Sequence, residues 1–327
     1  MTTIGLAIRA HRFEAISLAL LAAIGLGGTA FVIARLAAFD IPTSCFTSGP
    51  TAGACLGLDR QMTAYLDFAG FAGGLGLGAV LVLAVLPSMV LGMAVGAKEI
   101  DRGTTAFAWS LATSRRRWFL GRVAPAAVAI VAVGIAGGLM ADMLQALRDP
   151  GVDPARTFQH LGLRGVVVPA LAVAVFGVTL AAGSVLGRIL PTLLVGALLA
   201  FGTWAGVNVA SDTLLRSETV TWVPTSSDQG LPGQIDWRNV DFNFMTPGGE
   251  IIEYGEAYAR YGDKLVVGGE VPPGTELPPD AVVLRSVIQA NPGDLYPLVA
   301  ARMAVMYAAI GLGSIVLAFA VVDRRRP

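Results

Sequence analysis

Six long apolar runs constrain this chain more than any other feature of its sequence. They cover residues 15–38, 69–95, 118–144, 165–187, 189–209 and 298–322. A helix needs roughly 20 consecutive apolar residues to cross a bilayer, and these runs are continuous rather than alternating. Charged residues make up only 14% of the chain, well below the level of soluble domains. The sequence therefore predicts an all-α polytopic membrane protein with six transmembrane helices.

The placement of basic residues predicts the orientation of these helices. With six spans, the termini and the segments after spans 2 and 4 lie on one side. That side carries twelve Lys and Arg residues and three acidic residues, whereas the loops of the opposite side carry nine Lys and Arg residues and eighteen acidic residues. Lys and Arg concentrate in cytoplasmic loops. We therefore expect both termini to be cytoplasmic, with residues 1–14 forming a cytoplasmic N-terminal segment.

Two segments are predicted to lie outside the membrane on the opposite side. Residues 39–68 form an external loop in which Cys45 and Cys55 are ten residues apart. An intraloop disulfide suits an oxidising compartment, and two free buried thiols are the alternative. Residues 211–296 are too long and too rich in aromatics for a linker. They predict a small mixed extracellular domain, which either gates the pathway or only covers it. Residues 297–327, which follow it, are predicted to form the last helix and a basic tail.

Several kinds of chemistry are missing from the sequence. No GxxxxGK[ST], GxSxG or HExxH motif occurs, and two histidines and two cysteines are too few for a metal cluster based on those residues. Ion-driven carriers usually bury charges at mid-membrane, but here the charged residues of the spans fall near their ends. We therefore expect no enzyme activity from the chain alone, no directly bound cofactor or metal, and an energy source in another polypeptide.

Residues 96–117, GAKEIDRGTTAFAWSLATSRRR, form the one predicted cytoplasmic loop long enough to dock a partner. We call them the coupling segment. They predict a break at Gly103, an amphipathic helix carrying Phe107 and Leu111 on one face, and Arg115–Arg117 at the end of that helix. The alternative is a membrane-surface helix whose arginines only anchor it and which has no partner.

The coupling segment resembles the segment between spans 2 and 3 of type-2 ATP-binding-cassette (ABC) permeases. The matching residues are Gly96, Ala97, Glu99, Gly103, Thr104, Leu111, Ala112, Ser114, Arg115, Gly121 and Arg122. The family often has Pro before the Ser-Arg step, where this chain has Thr113. The six-span layout and the large loop before the last span also agree, and the N-terminal segment 1–14 would resemble the interfacial helix that precedes span 1 in that family.

This resemblance implies a function and a set of partners. The coupling segment would contact a cytoplasmic ABC ATPase, through the residues Glu99, Asp101, Arg102, Gly103, Thr104, Phe107, Leu111, Ser114 and Arg115. Arg115–Arg117 would serve more as membrane anchors than as catalytic groups. Two ATPase copies would bind ATP and Mg, and a second permease copy or a homologous permease would complete a pathway lined mainly by spans 2 and 5.

The expected function is that of the permease subunit of an ABC exporter in a bacterial cytoplasmic membrane. Spans without central charges suit an apolar or amphipathic cargo, such as a drug, a lipid or a hydrophobic peptide. Membrane lipid is an expected partner and nucleic acid is not. The alternatives are an ATP-independent carrier or assembly factor, and a membrane enzyme that works through the outer domain.

Overall fold

The computed structural model describes residues 12–47, 55, 57–103, 114–223, 237–267 and 281–324. We label the longer helices α1 Arg12–Ala37, α2 Asp59–Gly96, α3 Arg115–Arg148, α4 Val167–Leu186, α5 Ile189–Arg216, α6 Tyr254–Tyr261 and α7 Tyr296–Arg324. Six of these, all except α6, are long and apolar enough to cross a membrane. The six predicted spans are therefore found as helices, and the chain is a multi-pass membrane protein.

The chain divides into two compact units. A helix unit contains residues 1–154, 160–211 and 298–327, and a sheet unit contains residues 155–159 and 212–297. Short helical turns lie between the longer elements at Ser44–Thr47, Lys98–Asp101, Pro154–Arg156, Leu161–Leu163, Gly262–Lys264 and Gly293–Leu295.

Helix α4 lies at the centre of the helix unit. In its most apolar stretch 83% of the residues are buried, against 11% in α1 and 17% in α5. Glycine allows the close approach of its neighbours: a Cβ on Gly177 would lie 2.3 Å from the carbonyl oxygen of Gly311 on α7. Such backbone contacts let helices pack tightly without a hydrophobic driving force between them.

Helix α2 differs from its prediction in two ways. It begins at Asp59, ten residues before the apolar run, so most of the second half of the predicted loop 39–68 is helical. Acidic and polar residues such as Asp59 are favourable in the first turn of a helix and need not lie within the hydrocarbon. Small residues four apart, such as Gly74 and Gly78, predict close helix contact, but both have open space where a Cβ would be.

The described residues of the sheet unit form five strands and one α-helix. The strands are β1 Val220–Trp222, β2 Trp237–Met245, β3 Ile251–Glu253, β4 Leu265–Val267 and β5 Val282–Pro292. They run in the order β1-β5-β2-β3 with antiparallel neighbours, and β4 pairs with β5 in parallel. Helix α6 covers one face, where Phe244, Ile252, Ala257 and Leu284 form a small core.

Candidate functional site

The coupling segment starts at a tight contact between α2 and α4. A Cβ on Gly96 would lie 2.7 Å from the carbonyl oxygen of Leu180. Ala97 is fully buried, and a Cβ on Gly183 would lie 3.1 Å from the backbone nitrogen of Ala97. The first two residues of the sequence motif therefore have a packing role, because larger side chains would separate the two helices.

The chain turns directly after this contact. Residues Lys98–Asp101 form one helical turn. Its last residue, Asp101, is exposed, and so are Arg102 and Gly103, which follow it. Gly103 has φ of +69°, which a side chain would disfavour, so the backbone changes direction where the sequence predicts a break. Glu99 lies within the turn, and the predicted contacts of Thr104, Phe107 and Leu111 fall outside the described residues.

Ser114 marks the start of helix α3. Its backbone is extended, and its side-chain oxygen accepts a hydrogen bond from the nitrogen of Arg117 at 3.2 Å. Arg115–Arg117 therefore form the first turn of α3, and the expectation that they end the preceding helix is wrong. Three cations at a helix N-terminus oppose its dipole, so the serine cap and contacts outside the turn must offset that cost.

Two contacts join the start of α3 to the end of α7. Arg116 Nη2 donates to Asp323 Oδ2 at 2.7 Å, and the Arg116 side chain is largely exposed while that of Asp323 is partly exposed. Below this pair, the buried Phe119 ring packs edge-on against Phe319 at a centroid distance of 4.8 Å. Exposed ion pairs contribute little to stability, so the aromatic contact is the stronger link.

An apolar groove runs along helices α2, α4 and α5. Its volume is about 460 Å³, and its lining side chains are Leu81, Val82, Val85, Leu86, Met89, Leu171, Val175, Ala197, Ala200, Phe201 and Trp204. All of these are hydrophobic, so the groove suits an apolar molecule. Nothing in the sequence distinguishes these residues from lipid-facing ones, because either surface is apolar.

Thr179 lies where these three helices meet. A Cβ on Gly92 of α2 would be 2.1 Å from its Oγ1, and a Cβ on Gly196 of α5 would be 2.8 Å from its Cγ2. The Thr179 hydroxyl donates to the carbonyl oxygens of Val175 and Phe176 at 2.7 and 3.0 Å. This three-helix junction separates Gly96, where the coupling segment begins, from the residues of the groove.

A polar cluster that the sequence does not predict lies at the opposite end of α3. Arg148 Nη1 donates to His160 Nε2 at 3.3 Å, so Nδ1 carries the proton and donates to Gln145 Oε1 at 3.1 Å. Gln145 in turn donates to Asp149. Burial and then the charges of Arg148 and Arg164 lower the pKa of His160, so the ring is held neutral.

Cys45 and Cys55 are joined by a disulfide, with their Cα atoms 5.7 Å apart. Nearby, Phe39 packs edge-on against Tyr65 of α2 at 5.5 Å, and its carbonyl oxygen accepts a 2.7 Å hydrogen bond from Gln61. Phe46, which follows Cys45 directly, also packs against Tyr65 at a centroid distance of 5.2 Å, so the disulfide lies beside a small aromatic cluster at the start of α2.

A family model described as ABC-2 membrane transporter related matches residues 15–216. This range includes α1 from residue 15 onward, all of α2–α5, the groove, the junction and the coupling segment. The chain belongs to the ABC-2 membrane transporter related family. Membership identifies it as a membrane component of an ABC transporter and implies an ABC ATPase partner. No curated protein and no solved structure matches the chain.

Proposed function

We propose that this family member is the permease subunit of an ATP-driven exporter for an apolar or amphipathic molecule. The apolar groove along α2, α4 and α5 carries the proposal. An ionic cargo would be left unpaired there, whereas a drug-like compound, a lipid or a hydrophobic peptide would not. The export direction rests on the family resemblance.

The energy source in this proposal is a separate ABC ATPase that docks on the coupling segment. Asp101, Arg102 and Gly103 are exposed at its described end, as a docking surface requires. Two permeases and two ATPases, with ATP and Mg bound to the ATPases, would form the complete transporter in a bacterial cytoplasmic membrane. The chain itself would hydrolyse nothing.

Reconstitution in proteoliposomes tests this function. The chain and the ABC ATPase that co-purifies with it should accumulate a hydrophobic dye only when Mg-ATP is supplied. Transport by the chain alone under an ion gradient would support an ATP-independent carrier and contradict the proposal.

Two matched variants test whether the cargo uses the groove. Val82 lines it and is 44% exposed, while Val128 on α3 is 69% exposed and does not line it. Val82→Trp should fill part of the groove and reduce ATP-driven transport, whereas Val128→Trp should transport like the wild type. Equal transport by both variants would show that the cargo does not pass through the groove.

Two further variants test the coupling segment. Gly103→Pro cannot adopt the observed positive φ, and Glu99→Lys reverses a charge beside the turn. Both should insert in the membrane but hydrolyse ATP without transport. Normal transport in both would contradict the assignment of this segment to the ATPase contact.

A further inference from the structure

Asn208 of α5 lies one helical turn beyond Trp204, the last residue of that helix to line the groove. The groove residues of α5, at positions 197, 200, 201 and 204, follow a spacing of three to four, and a residue four further on lies on the same face. Helical side chains tilt toward the N-terminus of their helix, which for Asn208 is the direction of the groove. Asn208 therefore lies at the end of the groove that is farther from the Thr179 junction.

Two hydrogen bonds fix the orientation of the Asn208 amide. Its Nδ2 donates to the carbonyl oxygen of Trp204 at 2.8 Å and to the hydroxyl oxygen of Tyr307 on α7 at 3.3 Å. A carbonyl oxygen only accepts hydrogen bonds, so the amide nitrogen, and not its oxygen, must face Trp204. Both hydrogens of Nδ2 are used in this way. Tyr307 is completely buried, which makes its hydroxyl a fixed support for the amide.

This orientation leaves Oδ1 of Asn208 as an available acceptor. No donor among the described residues bonds to it, and the side chain is only partly buried. A Cβ on Gly162, which precedes α4, would lie 3.7 Å from Oδ1 and, apart from its chain neighbours, would meet no other described atom within 4 Å. The glycine therefore leaves room for a small group beside the oxygen.

An acceptor at the end of an apolar groove can discriminate between apolar molecules. The described lining side chains of the groove are all hydrophobic, so the apolar part of a cargo meets no polar partner there. A hydrogen bond is stronger in such surroundings than in water, and an acceptor without a donor is costly. A cargo with a hydroxyl or an amide N–H would supply that donor, whereas an ether of the same shape would not.

We propose that the groove and Asn208 together bind a neutral amphiphile. Its apolar chain lies in the groove, and its hydroxyl or amide N–H donates to Asn208 Oδ1. Asn208 is then a specificity-determining residue, and Tyr307 is a positioning residue that holds the amide in place. This inference rests on the proposed function, since it names the class of cargo that the same groove would carry.

Two photoreactive probes that differ in one group test the donor requirement. The full chain, in nanodiscs of uncharged phosphatidylcholine, is labelled with a medium-length alkyl diazirine that ends in a hydroxyl, or with the same molecule ending in a methoxy group. Mass spectrometry measures the label on residues 81–89 of α2, relative to the label around the lipid-exposed Val128, which does not line the groove. This ratio corrects for partition into the bilayer and should be about three- to tenfold higher for the alcohol.

Variants at one position separate the acceptor from the shape of the side chain. Asn208→Leu removes the acceptor at similar size and should label equally with alcohol and ether. Asn208→Ser should keep part of the preference, because its hydroxyl can donate to the Trp204 carbonyl, as Ser88 donates to that of Ala84, and still accept. Thr203→Val removes a hydroxyl from the same helix at a position that does not line the groove, and should label like the wild type.

Two neighbouring variants test access to Oδ1 and its support. Gly162→Ala places a methyl group in ordinary contact with the oxygen, so it should lower the labelling by the alcohol and leave that by the ether unchanged. Tyr307→Phe removes one support of the amide but not the acceptor, so it should reduce the preference less than Asn208→Leu does.

The outcomes distinguish this inference from the proposed function, because labelling needs neither ATPase nor nucleotide. Equal labelling by alcohol and ether, in a chain whose ATPase complex still transports a hydrophobic dye, would overturn the role of Asn208 and leave the transport function standing. A preference that persists in Asn208→Leu, or that Thr203→Val loses equally, would overturn it as well. Absence of groove labelling by either probe would overturn both this inference and the groove as the binding site of the cargo.

Discussion

Gly96→Ala tests the contact that holds the coupling segment to the centre of the helix unit. The new Cβ would lie 2.7 Å from the Leu180 carbonyl oxygen and 3.2 Å from the Gly183 Cα and the Ser184 nitrogen. All three are backbone atoms and cannot rotate away. Because ordinary contact begins at 3.4 Å, the end of α2 must retreat from α4 by about 0.7 Å.

The size of the effect follows from two opposing contributions. Overpacking of this kind costs about 1–3 kcal/mol, whereas replacing glycine by alanine within a helix gains about 1 kcal/mol. Gly78 lies on the same helix with open space around it, so Gly78→Ala keeps the gain without the cost. The two variants should therefore differ in stability by about 1–3 kcal/mol, with Gly96→Ala the less stable.

Thermal unfolding of both variants in nanodiscs measures this difference. We expect Tm of Gly96→Ala to lie at least about 2 °C below that of Gly78→Ala. ATP-driven transport by the reconstituted complex should fall only in Gly96→Ala, because only there does the coupling segment shift. Equal Tm values, or a higher one for Gly96→Ala, would contradict the tight α2–α4 contact.

Three further changes test local features of the structure. Ser114→Ala removes the cap of α3 and should cost about 1 kcal/mol in thermal or denaturant unfolding, while Ser114→Thr should restore most of it. Reducing the Cys45–Cys55 disulfide should cost about 2–3 kcal/mol for a ten-residue separation, and a Cys45→Ser/Cys55→Ser variant should be insensitive to the reductant. The pKa of His160 is lowered below its usual 6.5, so the unfolded chain binds this proton first as the pH falls, and the stability of the folded chain should fall below pH 6.5. The variant His160→Gln should lose that part of the pH dependence. A profile of Tm against pH that is the same in the variant and the wild type would contradict the buried neutral ring.

The sequence predicts the six helices well because a continuous apolar run has few other structures open to it in a membrane. Their ends are harder to predict. The ten residues from Asp59 onward belong to α2 although several of them are charged or polar, because helix ends outside the hydrocarbon can be solvated. The sequence similarly predicts that Arg115–Arg117 lie at the end of the preceding helix. The extended backbone of Ser114 shows instead that they begin α3.

The candidate site is less predictable than the helices because it depends on which faces meet. Gly74 and Gly96 look alike in sequence, yet only Gly96 meets the backbone of α4. The cluster of Gln145, Arg148 and His160 requires the chain to turn back after α3, which local spacing does not reveal. The groove is a property of three helices together, so no single one of them predicts it.

The three-helix junction at Thr179 suggests how the coupling segment and the groove could be linked mechanically. Backbone contacts at Gly92 and Gly96 leave α2 little room to slide along α4, and Gly196 holds α5 at the same threonine. We predict a rotation of these helices about the junction, in which an ATPase bound at the turn after Ala97 would move the groove walls apart or together. Spin labels at the exposed positions Leu75 and Leu198 would measure this as a distance change on ATP binding. A constant distance in a complex that still transports would rule out such a rotation.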